Sequence, residues 1–298
     1  MSEVRGNIFD IQRFSLDDGA GIRTVVFMKG CNLHCPWCHN PESVGEKRTL
    51  MRNSKCTSCG RCESACPKGC IRKEGVLFID KNVCDMCGKC VEACMNGALS
   101  ICGQSVTVDD VMETVMRDKD YYEASGGGIT LSGGEPSQQL MFSIEILKAC
   151  KNASIDSNIE TNGTMSDEAR CELGNLLDGA MVDLKHWDSA VYEKTLGAGN
   201  ESALKTIEEW SEKMPVEVRV PVIPGFNDTA GDIEKIYRLA EERGASKVTL
   251  LPYHTFGIAK YKSMGMEYEF GALEPMSAWR LQELADFEGN DILTIRGI

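Results

Sequence analysis

Eleven of the fifteen cysteines fall into three runs with the spacing of metal ligands. The first, Cys31-Asn32-Leu33-His34-Cys35-Pro36-Trp37-Cys38, directly follows a β-rich stretch and carries three thiols. Three thiolates are one short of a closed tetrahedral zinc site or a fully ligated four-iron cluster. Two chemistries meet that count: a zinc ion completed by His34 or His39, or a four-iron cluster with one iron left open. The second run places two residues between Cys56 and Cys59 and between Cys59 and Cys62, then three before Cys66-Pro67. The third repeats this through Cys84, Cys87, Cys90 and Cys94, with Met95 in place of the proline. This is the bacterial ferredoxin spacing, in which three cysteines wrap one cubane and the fourth ligates the other. It predicts one [4Fe-4S] cluster on Cys56, Cys59, Cys62 and Cys94 and another on Cys84, Cys87, Cys90 and Cys66. A zinc ribbon needs only two cysteine pairs and leaves the doubled run unexplained. Cys70, Cys102, Cys150 and Cys171 read as buried, inert thiols, although Cys70 is close enough to Cys66 to replace it as a ligand.

Composition agrees with metal chemistry. An odd cysteine count makes a poor disulfide framework, and Met1 to Asp10 carries no export signal, so the expected compartment is the reducing cytoplasm. A formal charge of −13 argues against a nucleic-acid partner. No apolar run approaches the length of a membrane span, and 42% hydrophobic with 26% charged residues is ordinary for a globular chain.

The elements that must position the cysteines can be read from periodicity. Residues 49–105 hold the two four-cysteine runs and little helical pattern, which predicts an inserted ferredoxin-like domain whose core is largely inorganic. Residues 1–48 and 106–298 form the remainder. Strands are predicted at Thr24–Lys29, Gly128–Ser132, Asn158–Thr161, Ala180–Lys185, Val216–Val222 and Lys247–Pro252. Helices are predicted at Asp109–Glu123, Gln138–Lys151, Ser166–Leu177, Glu201–Lys213, Ile233–Arg243 and Met276–Phe287. Alternation of strands and helices implies a parallel sheet. Side chains alternate across a strand, so Val182 and Leu184 face one way while Asp183 and Lys185 face the other, and Arg219 opposes the valines of its strand. Helices cover the apolar face, which turns Asp183, Lys185 and Arg219 inward. Several inward charges suggest an interior open to a polar ligand near the strand C-termini, unless Asp183 and Lys185 are simply an internal ion pair. Ser132-Gly133-Gly134-Glu135-Pro136 ends the second of these strands, where a glycine pair allows close backbone approach.

Taken together, the three-cysteine run with Trp37 before its last cysteine and the later glycine pair resemble the radical S-adenosylmethionine (SAM) superfamily. Further runs resemble its glycyl-radical-enzyme activating enzymes: Ser15 to Thr24, Cys38 to Glu42, Glu160 to Gly163, Asp183 to His186, Arg219 to Pro221 with Pro224-Gly225, and Leu251 to His254 with Gly257. Ala20 stands where that family commonly has proline, a change in turn stiffness alone. The resemblance implies a partial (β/α)6 TIM-like barrel of the α/β class with the ferredoxin-like insert, and three [4Fe-4S] clusters plus SAM as cofactors. Cys31, Cys35 and Cys38 would hold the catalytic cluster, and Lys185 would pair with the SAM carboxylate. Arg219 would hold carboxylate or ribose, Gly133, Gly134 and Glu135 would meet the amino group, Trp37 would lie at the cluster, and His254 would lie against adenine. Glu160, Thr161, Met181 through its carbonyl, and Asp183 match a monovalent-cation site for Na+ or K+, with Glu160 replacing the usual aspartate. The implied activity is reductive cleavage of SAM to methionine and a 5′-deoxyadenosyl radical that takes hydrogen from a glycine Cα of a partner enzyme. Flavodoxin or ferredoxin would donate the electron to a monomer. Two rival readings are a radical SAM enzyme acting on a small molecule or nucleotide, and a ferredoxin-type electron carrier without chemistry. The resemblance leaves choline, glycerol, hydroxyproline and arylacetate systems open for the partner.

Overall fold

The structure is a computed structural model and describes residues 4–74, 76–80, 82–270 and 273–296. Strand β1 (Arg5–Ser15) runs antiparallel to β2 (Arg23–Met28). The cysteine-rich stretch then builds β3 (Thr49–Arg52), α1 (Arg61–Ala65), β4 (Ile71–Glu74), β5 (Val76–Ile79), α2 (Lys89–Glu92) and β6 (Leu99–Cys102). Its strands pair only among themselves, β3 with β6 and β4 with β5. Leu50, Ile71 and Leu99 pack there with Cys62, Cys70 and Cys90. So small an apolar core needs stabilisation from another source. The chain re-enters the main sheet with β7 (Gln104–Thr107), which pairs with β1.

From there helices and parallel strands alternate. α3 (Val108–Met116) and α4 (Lys119–Ser125) lead to β8 (Gly128–Gly133), and α5 (Leu140–Asn152) to β9 (Asp156–Thr161). α6 (Asp167–Gly174) leads to β10 (Gly179–Asp183), and α7 (Ser189–Leu196) with α8 (Glu201–Ser211) to β11 (Val216–Val222). α9 (Ala230–Glu242) precedes β12 (Lys247–Pro252), and α10 (Ile258–Ser263) with α11 (Ala278–Leu284) precedes β13 (Leu293–Ile295). The sheet order is β13-β12-β11-β10-β9-β8-β2-β1-β7, parallel from β2 through β13. The two edges do not pair. The fold is α/β, a partial (β/α)6 barrel made by β2 and β8 to β12.

The curl of the sheet is visible in its charges. β11 and β2 lie four strand steps apart, about 19 Å in a flat sheet, too far for an arginine to cross. Yet Arg219 Nη2 of β11 donates to the Asp17 carbonyl in the β1–β2 loop at 2.7 Å. Arg296, just past β13, meets the Asp17 carboxylate at 3.0 Å. The outer face is apolar as predicted: Val216, Val218, Val220 and Val222 are buried, with Trp210 of α8 and Ile233 and Ile236 of α9 in the same core.

The six predicted strands are present with ends moved by at most two residues. β1, β7, β13, α7 and α10 were not foreseen. β1 is rich in polar residues because much of it is exposed. α7 is short, but the Asp188 side chain caps the Ala190 and Val191 amides at 2.9 and 3.2 Å, a sequence signal that was readable. The single helix predicted at Asp109–Glu123 is two helices. At the break, Asp118 turns its carboxylate inward to Arg13 Nε at 2.8 Å and Thr24 Oγ1 at 3.0 Å. The Arg13 hydrogen bond holds that carboxyl below its ordinary value, against desolvation, with Thr24 helping. Asp118→Asn should therefore cost about 1–3 kcal/mol at neutral pH, read as a lower urea midpoint. The depressed pKa means the wild-type advantage is present above about pH 4 and fades as pH falls through the folded value, so the two midpoints should converge in acid.

Candidate active site and the cysteine hollows

The loop from Gly30 to Ser43 has no long element of its own, and neighbouring backbone holds it. Gly30 N donates to the Ser43 carbonyl at 2.7 Å, Cys31 N to Val44 at 3.1 Å and His34 N to Leu196 at 3.0 Å. From the end of β8, Gly134 N donates to the Met28 carbonyl at 2.8 Å and Glu135 N to Gly30 at 2.7 Å. This gives the glycine pair a backbone reason. A Cβ on Gly133, whose φ is +115°, would fall 2.3 Å from the Met28 nitrogen, and one on Gly134 would fall 2.2 Å from the Gly30 carbonyl oxygen.

Glu135 is fully buried and accepts from the Ser137 and Asn162 amides at 3.0 and 2.9 Å and from Thr161 Oγ1 at 2.8 Å. Burial pushes its carboxyl up, against those donors. Asn162 in turn places its Nδ2 3.8 Å from Cys31 Sγ and 3.0 Å from Asn32 Oδ1. The structure thus places Glu135 as a tie between β8, β9 and the cysteine loop. Asn162, given no role from sequence, is the residue that touches a thiol.

Burial pushes the Cys31 thiol up, Cys35 up to about 11 and Cys38 up to about 12, with Lys185 opposing for Cys31 and Cys35. Thiolate is the metal-binding form, and for three half-buried thiols with raised pKa a cationic centre that takes their charge favours it. That donor set fits an iron–sulfur cluster. Trp37 packs on Phe226 and Phe270, ring centroids 4.7 and 5.9 Å away, and braces the loop against the segments after β11 and β12. Gly257 lies under Cys38, where an added Cβ would be 3.0 Å from its carbonyl oxygen.

The inward charges sit at the same end. Lys185 and Asp183 form an ion pair with the lysine buried. Burial acts to lower the Lys185 pKa, and Asp183 with Tyr192 and Cys35 more than reverses it. Asn227 Nδ2 fixes the Lys185 carbonyl at 2.7 Å. Arg219 is buried, pairs with Glu160 at 2.7 Å, and keeps its Nε without a hydrogen-bond partner. Ser132 Oγ donates to Glu160 at 2.6 Å. Burial pushes the Glu160 carboxyl up, and Arg219 with Ser132 more than reverses this. His254 stacks on Phe256 at 4.7 Å and meets His39 edge-on at 4.6 Å, its Nδ1 buried without a partner. These orphaned polar atoms on Arg219 and His254 are what a polar cofactor would satisfy. Of the four cation-site positions, Thr161 Oγ1 hydrogen-bonds Glu135, Glu160 pairs with Arg219 and Ser132, Asp183 pairs with Lys185, and Met181 lies buried beside Glu160 in register.

The cysteine-rich stretch encloses two hollows. One is lined by Cys56, Cys59, Cys62 and Cys94, the other by Cys66, Cys84, Cys87 and Cys90 together with Cys70. Each hollow collects the four cysteines that the crossed ferredoxin pairing brings together. Among the described residues no three or more His, Cys, Asp or Glu converge on a single ion; cubane ligands bind separate irons and surround a hollow instead. Of the four leftover cysteines, Cys70 and Cys150 are buried as expected, whereas Cys102 is half-buried and Cys171 exposed. Cys171 lies on the outer side of α6, a helix that buries Leu173.

The Radical SAM superfamily profile matches residues 81–240, and the 4Fe-4S binding domain profile matches residues 52–72. The (2S)-3-sulfopropanediol sulfolyase activating enzyme of Bilophila wadsworthia is 41% identical, over 92% of this chain and 93% of its own. The choline trimethylamine-lyase activating enzyme of Oleidesulfovibrio alaskensis is 37% identical, over 90% of both. The 4-hydroxyphenylacetate decarboxylase activating enzyme of Clostridioides difficile is 34% identical, over 95% of this chain and 93% of its own. In fold the chain is similar to Streptococcus suis SuiB crystallised with precursor peptide SuiA, at TM-score 0.50 and 14% identity, covering 65% of this chain and 43% of that one. A parallel α/β sheet with three thiols in the loop after its first parallel strand, together with the profile match, defines the class, a radical SAM enzyme. The chain belongs to the radical SAM superfamily and, within it, to the glycyl-radical-enzyme activating enzymes. Gly134→Ala should push Gly30 and the cysteine loop away from β8 and weaken SAM binding at least about tenfold, about 1.4 kcal/mol, measured by anaerobic equilibrium dialysis.

Proposed function

We propose that the Cys31–Cys38 loop holds a [4Fe-4S] cluster with one open iron, that SAM binds there, and that residues 49–105 hold two more clusters which relay electrons to it. When bound, the cluster and SAM supply a one-electron cleavage that yields methionine and a deoxyadenosyl radical able to take hydrogen from a glycine Cα. The protein's own work is positioning and exclusion of solvent. Lys185 would pair with the SAM carboxylate, an exchange of partner for an ammonium already aimed inward and held by Asp183. Arg219 would offer its Nε, which has no hydrogen-bond partner and sits 3.7 Å from the Glu217 carboxylate, to carboxylate or ribose, and His254 its ring and unbonded Nδ1 to adenine. Gly133 and Gly134 would present backbone to the amino group. The observation that carries this reading is the placement of three half-buried thiols in the loop after β2, with Asn162 against Cys31 and the Lys185 ammonium after β10 close enough to favour the Cys31 and Cys35 thiolates.

The partner is proposed to be a glycyl radical enzyme, with flavodoxin or ferredoxin as electron donor and a cytoplasmic monomer as the working form. No helix among the described residues is long and apolar enough to cross a membrane. The relatives act with a sulfolyase, a lyase and a decarboxylase, so a panel of such enzymes is the appropriate substrate set. Cys31→Ala, Cys35→Ala and Cys38→Ala should each abolish deoxyadenosine formation while leaving the insert's roughly eight of twelve irons. A glycyl doublet in the EPR spectrum of one panel member would establish activation. Retained cleavage in the three variants would refute the site, and cleavage without any doublet would point to a small-molecule substrate.

A monovalent cation beside SAM is proposed on Asp183 and the Met181 carbonyl. Because Arg219 already neutralises Glu160, exchange of Na+ or K+ for a bulky organic cation should change SAM cleavage by less than about threefold, within 1 kcal/mol. A tenfold loss would instead require Glu160 to leave Arg219 and bind the ion.

A further inference from the structure

The two four-cysteine runs fold as a repeat, which lets each hollow serve as the reference for the other. Ser58 and Met86 both have positive φ, at 53° and 57°. Gly60 and Gly88, both at 81°, precede α1 and α2. Gly69 and Gly97 are at 61° and 57°. At the same offset Cys70 corresponds to Ala98, each preceding the first residue of a strand, Ile71 of β4 and Leu99 of β6. In one hollow Ala98 offers only its amide, which donates to Cys94 Sγ at 3.2 Å. In the other the equivalent position carries a thiol, buried, with its Sγ 3.3 Å from Cys66 Sγ. Cys84 lines the same hollow. That hollow therefore has five thiols around a space that needs four.

We propose that Cys70 is a fifth cluster-binding thiol, able to take the iron of Cys66 in the hollow shared with Cys84, Cys87 and Cys90. The proposal rests on the reading that both hollows hold [4Fe-4S] clusters. In the exchange the iron–Sγ bond of Cys66 breaks and one to Cys70 forms. Cys70 gives up its proton and Cys66 takes one up, and no electron moves. The exchange keeps four thiolates on the cluster when Cys66 is lost, a reserve that the Cys94 hollow lacks.

The test is iron and sulfide content of the full chain after anaerobic reconstitution, with circular dichroism on each variant to confirm the fold. Wild type should hold roughly twelve irons, four per cluster. Cys94→Ala should fall to roughly eight, because Ala98 cannot substitute. Cys66→Ala should stay near twelve, and Cys66→Ala with Cys70→Ala should fall to roughly eight. The reciprocal variant, Cys94→Ala with Ala98→Cys, should recover the lost four, and it tests the geometry even where removal of Cys66 impairs folding. Loss of four irons in Cys66→Ala alone, matching Cys94→Ala, overturns the proposal. If Cys94→Ala and the Cys66/Cys70 double variant both keep twelve irons, the cluster assignment itself fails, and the role of Cys70 fails with it.

Discussion

A thiol loop without regular structure must be held still at the open end of a sheet, and backbone hydrogen bonding does this. The Gly134 and Glu135 amides bind the Met28 and Gly30 carbonyls just ahead of Cys31. Such contacts need backbones closer than any Cβ permits, which is why two glycines stand where β8 ends. Glu135 then extends the hold through a buried, hydrogen-bonded carboxyl. Its carboxylate receives Thr161 and Asn162, and Asn162 reaches Cys31. Loosening the glycine pair would move the thiols, the β9 end and the asparagine together.

The second organising effect is electrostatic. A carboxylate or guanidinium in a sheet interior is costly unless paired, and each inward charge here has an opposite beside it: Lys185 with Asp183, Arg219 with Glu160. Both pairs reach the end of the sheet where the cysteine loop lies, and both keep hydrogen-bonding capacity in reserve, in the Nε of Arg219 and the ammonium of Lys185. Pairs of this kind can exchange partners with a polar ligand. The curl that carries Arg219 and Arg296 to Asp17 draws the far strands over the same space.

The cysteine-rich stretch follows a different rule. Its apolar core amounts to a few residues around Leu50, Ile71 and Leu99, less than a domain of its length ordinarily needs. Local backbone geometry, set by repeated left-handed residues and short helices, arranges the thiols around two hollows before any metal is considered. The repeat is close enough that a single difference between its halves, Cys70 against Ala98, stands out as chemical.

By itself the sequence determined which thiols can act together and which faces point outward. Cysteine spacing specifies which thiols can share a cluster because a few residues of chain limit how far apart they lie. The alternation in Val216 to Val222 specifies the buried face because a strand turns successive side chains to opposite sides. The six central strands were legible for that reason. Only the tertiary structure decided what depends on contacts distant in sequence: the polar strand β1, the break at Asp118 made by Arg13 and Thr24, and the commitment of Thr161 to Glu135. The same holds for the contact of Asn162 with Cys31 and for the thiol of Cys70 pointing into a hollow rather than away from it. Each is set by where other segments arrive, and short-range periodicity carries no information about that.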